Sequence, residues 1–360
     1  MQSASLVLMV VAACYSPTLR PGSPCDEVHS CAPPLLCTLG TCETLAAESD
    51  AHVVAAPDAA CVPTGPEICG DGIDQDCSGS DAPCVANDRP GGAIDVTAGG
   101  TFGADLLLAR DDLANNGCNR DGGNDVFYDI TLAAPQVYYF DTFSSGFDTS
   151  LRVFPGLACS AVTSAMTPAG CNDDACGTAE SQLAAALPAG TSCLVVDKNF
   201  NNGLDPDKGT FALHVVPGGR TGTALPAGTA MLTGDTCVVT DVWQADTGCG
   251  VQAMAKDVAY YFLACPAKVT HVDASTCKNP ANTHFDTVVY VRSPSGPDLA
   301  CQDDILNTAL CAPRPDRPDG QPDGSIVSDV RVTGPGLFWV VVDGYNMSAC
   351  GGYQLDTTLR

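Results

Sequence analysis

One β-unit is written twice in this chain, and the duplication limits what it can fold into. NDVFYDITL (residues 124–132) is followed by FDTSLRVF (147–154), CNDDAC (171–176) and CLVVD (193–197). The same order returns as KDVAYYFLA (256–264), FDTVVYVR (285–292), CQDD (301–304) and WVVVD (339–343). The matching pairs Asp125/Asp257, Asp148/Asp286, Asp173/Asp303 and Asp197/Asp343 are 132, 138, 130 and 146 residues apart. Four ordered matches at similar spacing indicate a duplicated domain whose length differences fall in loops.

Each copy reads as a series of short strands. In the first, residues 126–132, 136–140, 151–154, 192–196 and 210–216 mix β-branched, aromatic and polar residues, separated by Gly, Pro, Asn and Asp. In the second, the strands are 259–263, 268–273, 287–292, 327–333, 337–343 and 353–358. Pro135, Pro155, Pro188 and Pro217 mark strand ends. A 3.6-residue pattern is almost wholly lacking, so the expected class is all-β: two tandem antiparallel β-sandwiches. They occupy residues 87–218 and 219–360, after a small, disulfide-rich and mostly irregular N-terminal region.

Sixteen basic residues against 42 acidic ones give a net charge of −26. That field repels nucleic acid and anionic surfaces and favours cations as small partners. The same charge also solvates an extracellular surface. Twenty-one cysteines suit an oxidising compartment rather than a reducing cytosol.

The chain opens MQSASLVLMVVAAC. Its apolar run is far too short to span a bilayer and matches the core of a signal peptide. Small residues before Cys14 resemble the lipobox of bacterial lipoproteins. The resemblance implies cleavage of residues 1–13 and a lipid on Cys14, which anchors the chain at the cell envelope, at the outer membrane or surface of a Gram-negative bacterium. No Lys or Arg precedes the apolar run, a departure from the usual basic start. Lipidation leaves 20 cysteines, enough for ten disulfides. The alternative is an ordinary signal peptide with Cys14 kept in the mature chain. Residues 14–60 then comprise a module with Cys25, Cys31, Cys37 and Cys42, read as two disulfides rather than a zinc site, and an Ala/Pro/acidic tether.

Residues 61–86 contain PEICGDGIDQDCSGSDAPC. Asp74, Asp76, Ser78 and Gly79 form D-x-D-x-S-G, the first half of an EF-hand-type loop, in which alternate oxygen side chains converge on a hard cation. Asp71 and Asp81 are further candidate ligands. Val85 stands where the bidentate Glu belongs, so the loop is no complete EF-hand. The stretch resembles a metal-binding motif of myxobacterial secreted and surface proteins through Cys69, Asp71, Gly72, Asp74, Asp76, Cys77 and Gly79. Carboxylates without a nearby His favour calcium over a transition metal. A stapled polar linker that binds nothing is the competing reading.

DVFYDITL, FDTSLRVF, CNDD, LPAGTSCLVVD and GTFALHV together resemble the bacterial pre-peptidase C-terminal domain. The second copy matches that pattern more closely through FDTVVYVR and VVVDGY. The resemblance implies a jelly-roll-like sandwich, calcium at acidic loops in some members, a role beside secreted peptidases, and a Cys159–Cys171 bond. Asp173 and Asp174 in the first copy, and Asp303 and Asp304 in the second, are candidate metal ligands. Asp148 stands either with Asp173 and Asp174 at one end of the sandwich or as a turn cap, the role also expected of Asp197. Five cysteines in the first copy and seven in the second leave three options: a bond between the copies, a bond to the N-terminal region, or two free thiols.

No H-E-x-x-H, G-x-S-x-G or P-loop occurs, and the five His are scattered. A triad assembled only by folding stays open. The expected function is a non-catalytic, calcium-binding surface lipoprotein that adheres to or binds an extracellular protein or glycan. The alternatives are a metal-independent carbohydrate- or protein-binding module, for which Tyr345 and Trp243 are the candidate loop aromatics, and an accessory to a secreted peptidase.

Overall fold

The computed structural model describes residues 35–38, 41–44 and 61–360, the last without 66, 114–122, 200–208, 247–248, 250–254, 280, 306, 316–319 and 321. It divides into two units, residues 1–62 and 63–360. In the first, β1 (Leu35–Thr38) and β2 (Thr41–Thr44) form an antiparallel hairpin that sets Cys37 opposite Cys42. This hairpin is order beyond the irregular module expected there. The signal peptide, Cys14 and most of the tether lie outside the described residues.

The second unit is all-β and built as two copies of one nine-stranded pattern. The first copy comprises β3 (Ile94–Asp95), β4 (Gly100–Phe102), β5 (Asp125–Leu132), β6 (Gln136–Asp141), β7 (Thr149–Phe154), β8 (Gly170–Asn172), β9 (Gln182–Leu187), β10 (Gly190–Lys198) and β11 (Leu213–Pro217). The second comprises β12 (Thr223–Ala224), β13 (Gly228–Asp235), β14 (Val258–Ala264), β15 (Val269–Ser275), β16 (Thr287–Arg292), β17 (Asp298–Gln302), β18 (Ile326–Thr333), β19 (Gly336–Gly344) and β20 (Gly352–Leu359). The first copy pairs its strands in the orders β3-β5-β10-β7-β8 and β4-β11-β6-β9. The second uses β12-β14-β19-β16-β17 and β13-β20-β15-β18, so each strand finds its counterpart nine places on. Among the described residues, helical structure is confined to short 3-10 turns.

The sheets are not wholly antiparallel. β3 runs parallel to β5, and β12 parallel to β14. Each opening strand is followed by one in the opposite sheet before the chain returns beside it, and such a crossover delivers a parallel neighbour.

Alternation of side chains sends Tyr128, Ile130, Leu151, Val153, Leu194 and Val196 inward from one sheet, against Tyr138, Phe140, Leu213 and Val215 from the other. Val289, Val291, Val340 and Val342 face Val272, Val332, Tyr353 and Leu355 likewise in the second copy. The central strands are buried on their other faces too. In the first copy Phe127, Phe154, Cys193 and Val195 lie beneath Leu113 and the turn at Cys159–Ala161. In the second, Ala259, Tyr290, Trp339 and Val341 pack against Val137, Tyr139, Ala184 and Val216 of the first. Sheet β4-β11-β6-β9 therefore lies against sheet β12-β14-β19-β16-β17. Burial on both faces explains why WVVVD reads as a continuous apolar run rather than an alternating one.

Covalent and polar links reinforce this junction. Cys176 is bonded to Cys265, which is the first of the three options for the odd cysteine counts. Gln182 Nε2 donates to the Ala264 carbonyl at 2.9 Å, and Lys268 Nζ to the Cys176 carbonyl at 2.7 Å. The Cys159–Cys171 bond implied by resemblance is not formed; Cys159 pairs with Cys193. The sheet order gives the reason. Cys171 lies on edge strand β8, two strands from β10, whereas the turn carrying Cys159 sits over β10 itself.

Asp197 is a buried ionic residue rather than a simple turn cap. It stands directly opposite Asp125 in the β10–β5 register, and both are fully buried. Arg152 Nη2 lies 2.6 Å from Asp197 and 3.9 Å from Asp125. Burial and the Asp197 charge push Asp125 up to about 8. Burial, partly offset by Arg152, also pushes Asp197 up to about 8.

Candidate metal centres

In both copies the chain enters an inner strand, β7 or β16, through Asp-Thr and leaves the neighbouring edge strand through Asp-Asp. β7 and β8 are adjacent and antiparallel, so the start of one lies beside the end of the other. That geometry brings Asp148 to Asp173 and Asp174, with carboxylate oxygens of all three within 4.8 Å of one another. β16 and β17 repeat it, bringing Asp286 to Asp303 and Asp304 within the same limit. The pairs singled out in the sequence are thus each joined by a third carboxylate. For Asp148 the cluster is the placement found, and Asp286 emerges only from the fold.

A buried hydroxyl network holds each cluster from behind. Thr142 Oγ1 and Thr149 Oγ1 are 2.5 Å apart, the Ser181 amide donates to Thr142 Oγ1, and Ser181 Oγ donates to the Thr149 and Asp173 carbonyls. Thr276, Thr287 and Ser325 reproduce the core of this network in the second copy. Asn172 Nδ2 donates to the Asp174 carbonyl, as Gln302 Nε2 does to that of Asp304. The Thr after each Asp thus fixes the backbone from which its carboxylate projects.

Crowding of like charges has the expected electrostatic result. Burial, followed by the Asp148 and Asp174 charges, pushes Asp173 up to about 6. Burial, followed by Asp304 and Asp323, does the same to Asp303. One Asp303 oxygen is buried without a hydrogen-bond partner among the described residues. A hard divalent cation satisfies such an all-oxygen set and removes the repulsion at its source. The donors therefore fit calcium.

The cysteine-rich acidic loop is arranged differently. Asp74 and Asp76 converge, and Glu67 completes their group. Backbone amides of Ser78 and Gly79 turn inward to Asp74, and that of Ser78 also to Asp76. Hydrogen bonds from Ser78 hold the Asp76 carboxyl below the usual range. Gly79, at φ +117°, supplies the turn. Asp71 and Asp81 lie outside this group. Asp81 accepts the Gly70 and Gly72 amides, while Asp71 accepts the Ile73 amide and Gln75 Nε2. Ser78 contributes its backbone amide to the loop. The Cys69–Cys84 disulfide closes the base, and Arg110 fastens it to the first sandwich through the Cys69 carbonyl.

Other sequence candidates take structural roles. Trp243 is held between the guanidinium groups of Arg220 and Arg292, at 4.9 and 5.0 Å, with its edge against Trp339. It is no free loop aromatic, whereas Tyr345 is exposed. Arg314, in the Pro- and Asp-rich loop after Cys311, lies 3.3 Å from buried Asp323. His214 pairs with Asp141 and His271 with Asp329, each at 2.7 Å. Among the described residues, no Ser, Thr or Cys side chain is hydrogen-bonded to either ring, so neither dyad is extended to a triad.

No family model matches the chain, and no curated protein matches it. Among solved structures, a predicted secreted protein from Eubacterium rectale is 8% identical, with 66% of this chain and 69% of that one covered at a TM-score of 0.18. A Paenibacillus xanthan lyase is 11% identical over 72% of this chain and 25% of its own, at 0.20. The CUB1-EGF-CUB2 region of human MASP-1/3 is 9% identical over 73% of this chain and 99% of its own, at 0.17. The chain spans a quarter of the xanthan lyase. At these scores the likenesses assign no family, and the paired acidic loops remain the feature that speaks for a function.

Proposed function

We propose that the chain is a non-catalytic, calcium-binding surface lipoprotein, anchored through a lipid on Cys14, whose two sandwiches present loops to an extracellular protein or glycan. The observation that carries this reading is the recurrence of one three-carboxylate cluster at one place in both copies: Asp148/Asp173/Asp174 and Asp286/Asp303/Asp304. Glu67, Asp74 and Asp76 form a further candidate site. The disulfides support an oxidising, extracytoplasmic setting. Among the described residues no helix is long and apolar enough to cross a membrane, and the lipid supplies the attachment in this reading. Calcium would neutralise the crowded carboxylates and set the loops that contact the partner.

The test is a calorimetric titration of the oxidised chain with calcium, with thermal melts alongside. Saturable binding and a rise in melting temperature are expected. Free calcium at a hundred times its dissociation constant stabilises by about 2.7 kcal/mol per site. Changing Asp173 and Asp174, or Asp303 and Asp304, to Asn should remove one binding event each. No heat and no shift at millimolar calcium would sink the reading and favour a metal-independent binding module.

A further inference from the structure

The two sandwich clusters are not equivalent, and the difference lies in one side chain. Asn199 follows β10, and its backbone amide donates to the Asp148 carbonyl at 3.1 Å. Tyr345 follows β19 and makes the same 3.1 Å bond to the Asp286 carbonyl, so the two residues occupy equivalent places. Their side chains part company there. Asn199 is only 8% exposed, and its Nδ2 lies 2.9 Å from both oxygens of Asp173. Its carbonyl Oδ1 is buried with no hydrogen-bond partner among the described residues. Tyr345 is 38% exposed and offers no carboxamide to its cluster.

A buried amide oxygen without a partner is costly, and native structures rarely keep one without a reason. The amide of Asn199 is nearly symmetric in shape, so a half-turn about its terminal bond exchanges nitrogen and oxygen at little steric cost. With only carboxylates in front of it, the NH2 end faces Asp173. A divalent cation among Asp148, Asp173 and Asp174 reverses that preference, because the carbonyl then finds a positive charge. The second copy differs again behind its cluster. Thr287 N–H donates to the carbonyl of Asp323, whose carboxylate pairs with Arg314, where Thr149 N–H donates to that of Ala179. Asp323, whose charge acts on Asp303, is thus itself paired with a guanidinium.

We propose that Asn199 Oδ1 is the fourth protein oxygen ligand of a divalent hard cation in the first sandwich, and that the duplicated sites therefore differ in affinity, the first being the tighter. This rests on the cation reading given above. Three carboxylates and one neutral carbonyl make a set suited to calcium, whose shell accepts carboxylate and amide oxygens together.

The experiment uses the oxidised full chain carrying Asp303→Asn and Asp304→Asn, so that the second site is silent, with calcium chloride as the probe. Asn199→Ala in that background should weaken the remaining sandwich site by about tenfold or more, in the range that loss of an orienting or ligating group gives. Asn199→Ala also removes a donor to Asp173, so a second measurement addresses ligation directly. In the chain with 15N-labelled asparagine, the Asn199 side-chain NH2 resonances should move in step with calcium saturation and revert with a chelator. Unchanged affinity in Asn199→Ala, or NH2 resonances that stay fixed while Asp173→Asn abolishes binding, would overturn the role of Asn199 and leave the calcium site standing. No calcium binding by the unsubstituted chain would overturn both.

Discussion

Tyr290 occupies in the second sandwich the place that Arg152 occupies in the first. Each stands four residues after the Asp of its cluster, on the inner strand β16 or β7, and each is fully buried. Arg152 pairs closely with Asp197 and lies 3.9 Å from Asp125. Tyr290 offers only a hydroxyl, 3.5 Å from Asp343. The missing cation comes from Arg220, which pairs with Asp257 from the short segment joining the two copies. Arg220→Leu should therefore destabilise the chain by about 3–5 kcal/mol, the usual cost of leaving a buried carboxylate alone. Urea unfolding would read it, and adding Asp257→Asn should restore much of the loss.

The opposed carboxylates make stability depend on pH in an unusual direction. Asp125, Asp197 and Asp343 are each pushed up to about 8, against 3.8 in the unfolded chain. Between those values the folded state holds protons that the unfolded state releases. The contribution of these groups is therefore largest below about pH 4 and falls as pH rises towards 8. The urea midpoint should drop from pH 5.5 to pH 8.5, and Asp125→Asn should flatten the slope. A midpoint that rises over this range would contradict the assignment.

The Cys176–Cys265 bond closes a loop with a sequence separation of 89. Replacing both cysteines with serine should cost about 2–4 kcal/mol through the freed unfolded chain. The two sandwiches should nevertheless stay packed, because Trp339 and Tyr139 remain between them. Small-angle scattering is expected to give the same radius of gyration for the double variant and the parent.

Trp339 is fully buried at that junction, with Trp243 and Tyr261 edge-on to it at 5.4 and 5.7 Å. Trp339→Ala should cost about 3–5 kcal/mol. It should also loosen the first sandwich against the second, read as faster hydrogen exchange at Val137 and Tyr139.

The strands with dense β-branched and aromatic content, β5, β7, β10, β14, β16 and β19, were legible in the sequence. β8, β9, β13 and β17 were not, because GCN, QLAAAL, GTAMLTGD and DLACQ are rich in Ala and Gly, which carry little strand signal. Asp173, Asp174, Asp303 and Asp304 could be found from doubled acids at matching places. Asp286 could not, since its proximity to Asp303 follows from strand pairing rather than from spacing. Asn199 was hidden for the opposite reason: its counterpart is Tyr345, so comparing the copies draws attention away from it. Glu67 lies before the D-x-D pattern and joins it only through the turn that brings its carboxylate to the Gln75 amide.

The apolar junction between the sandwiches also sets a limit on growth. Val137 and Tyr139 lie five and three residues before Thr142, and the residues five and three before Thr276 are His271 and Asp273. Val216 of the junction corresponds in register to Thr358. The face that received a neighbour in the first copy is thus polar in the second, where Arg360 bridges Asp273 and Asp329 beside His271. A further unit docking by the same contacts would have to strip water from that ionic cluster. The second sandwich thus turns an ionic, hydrated surface outward where the first turns an apolar one, the kind of polar outer face that a capping repeat carries.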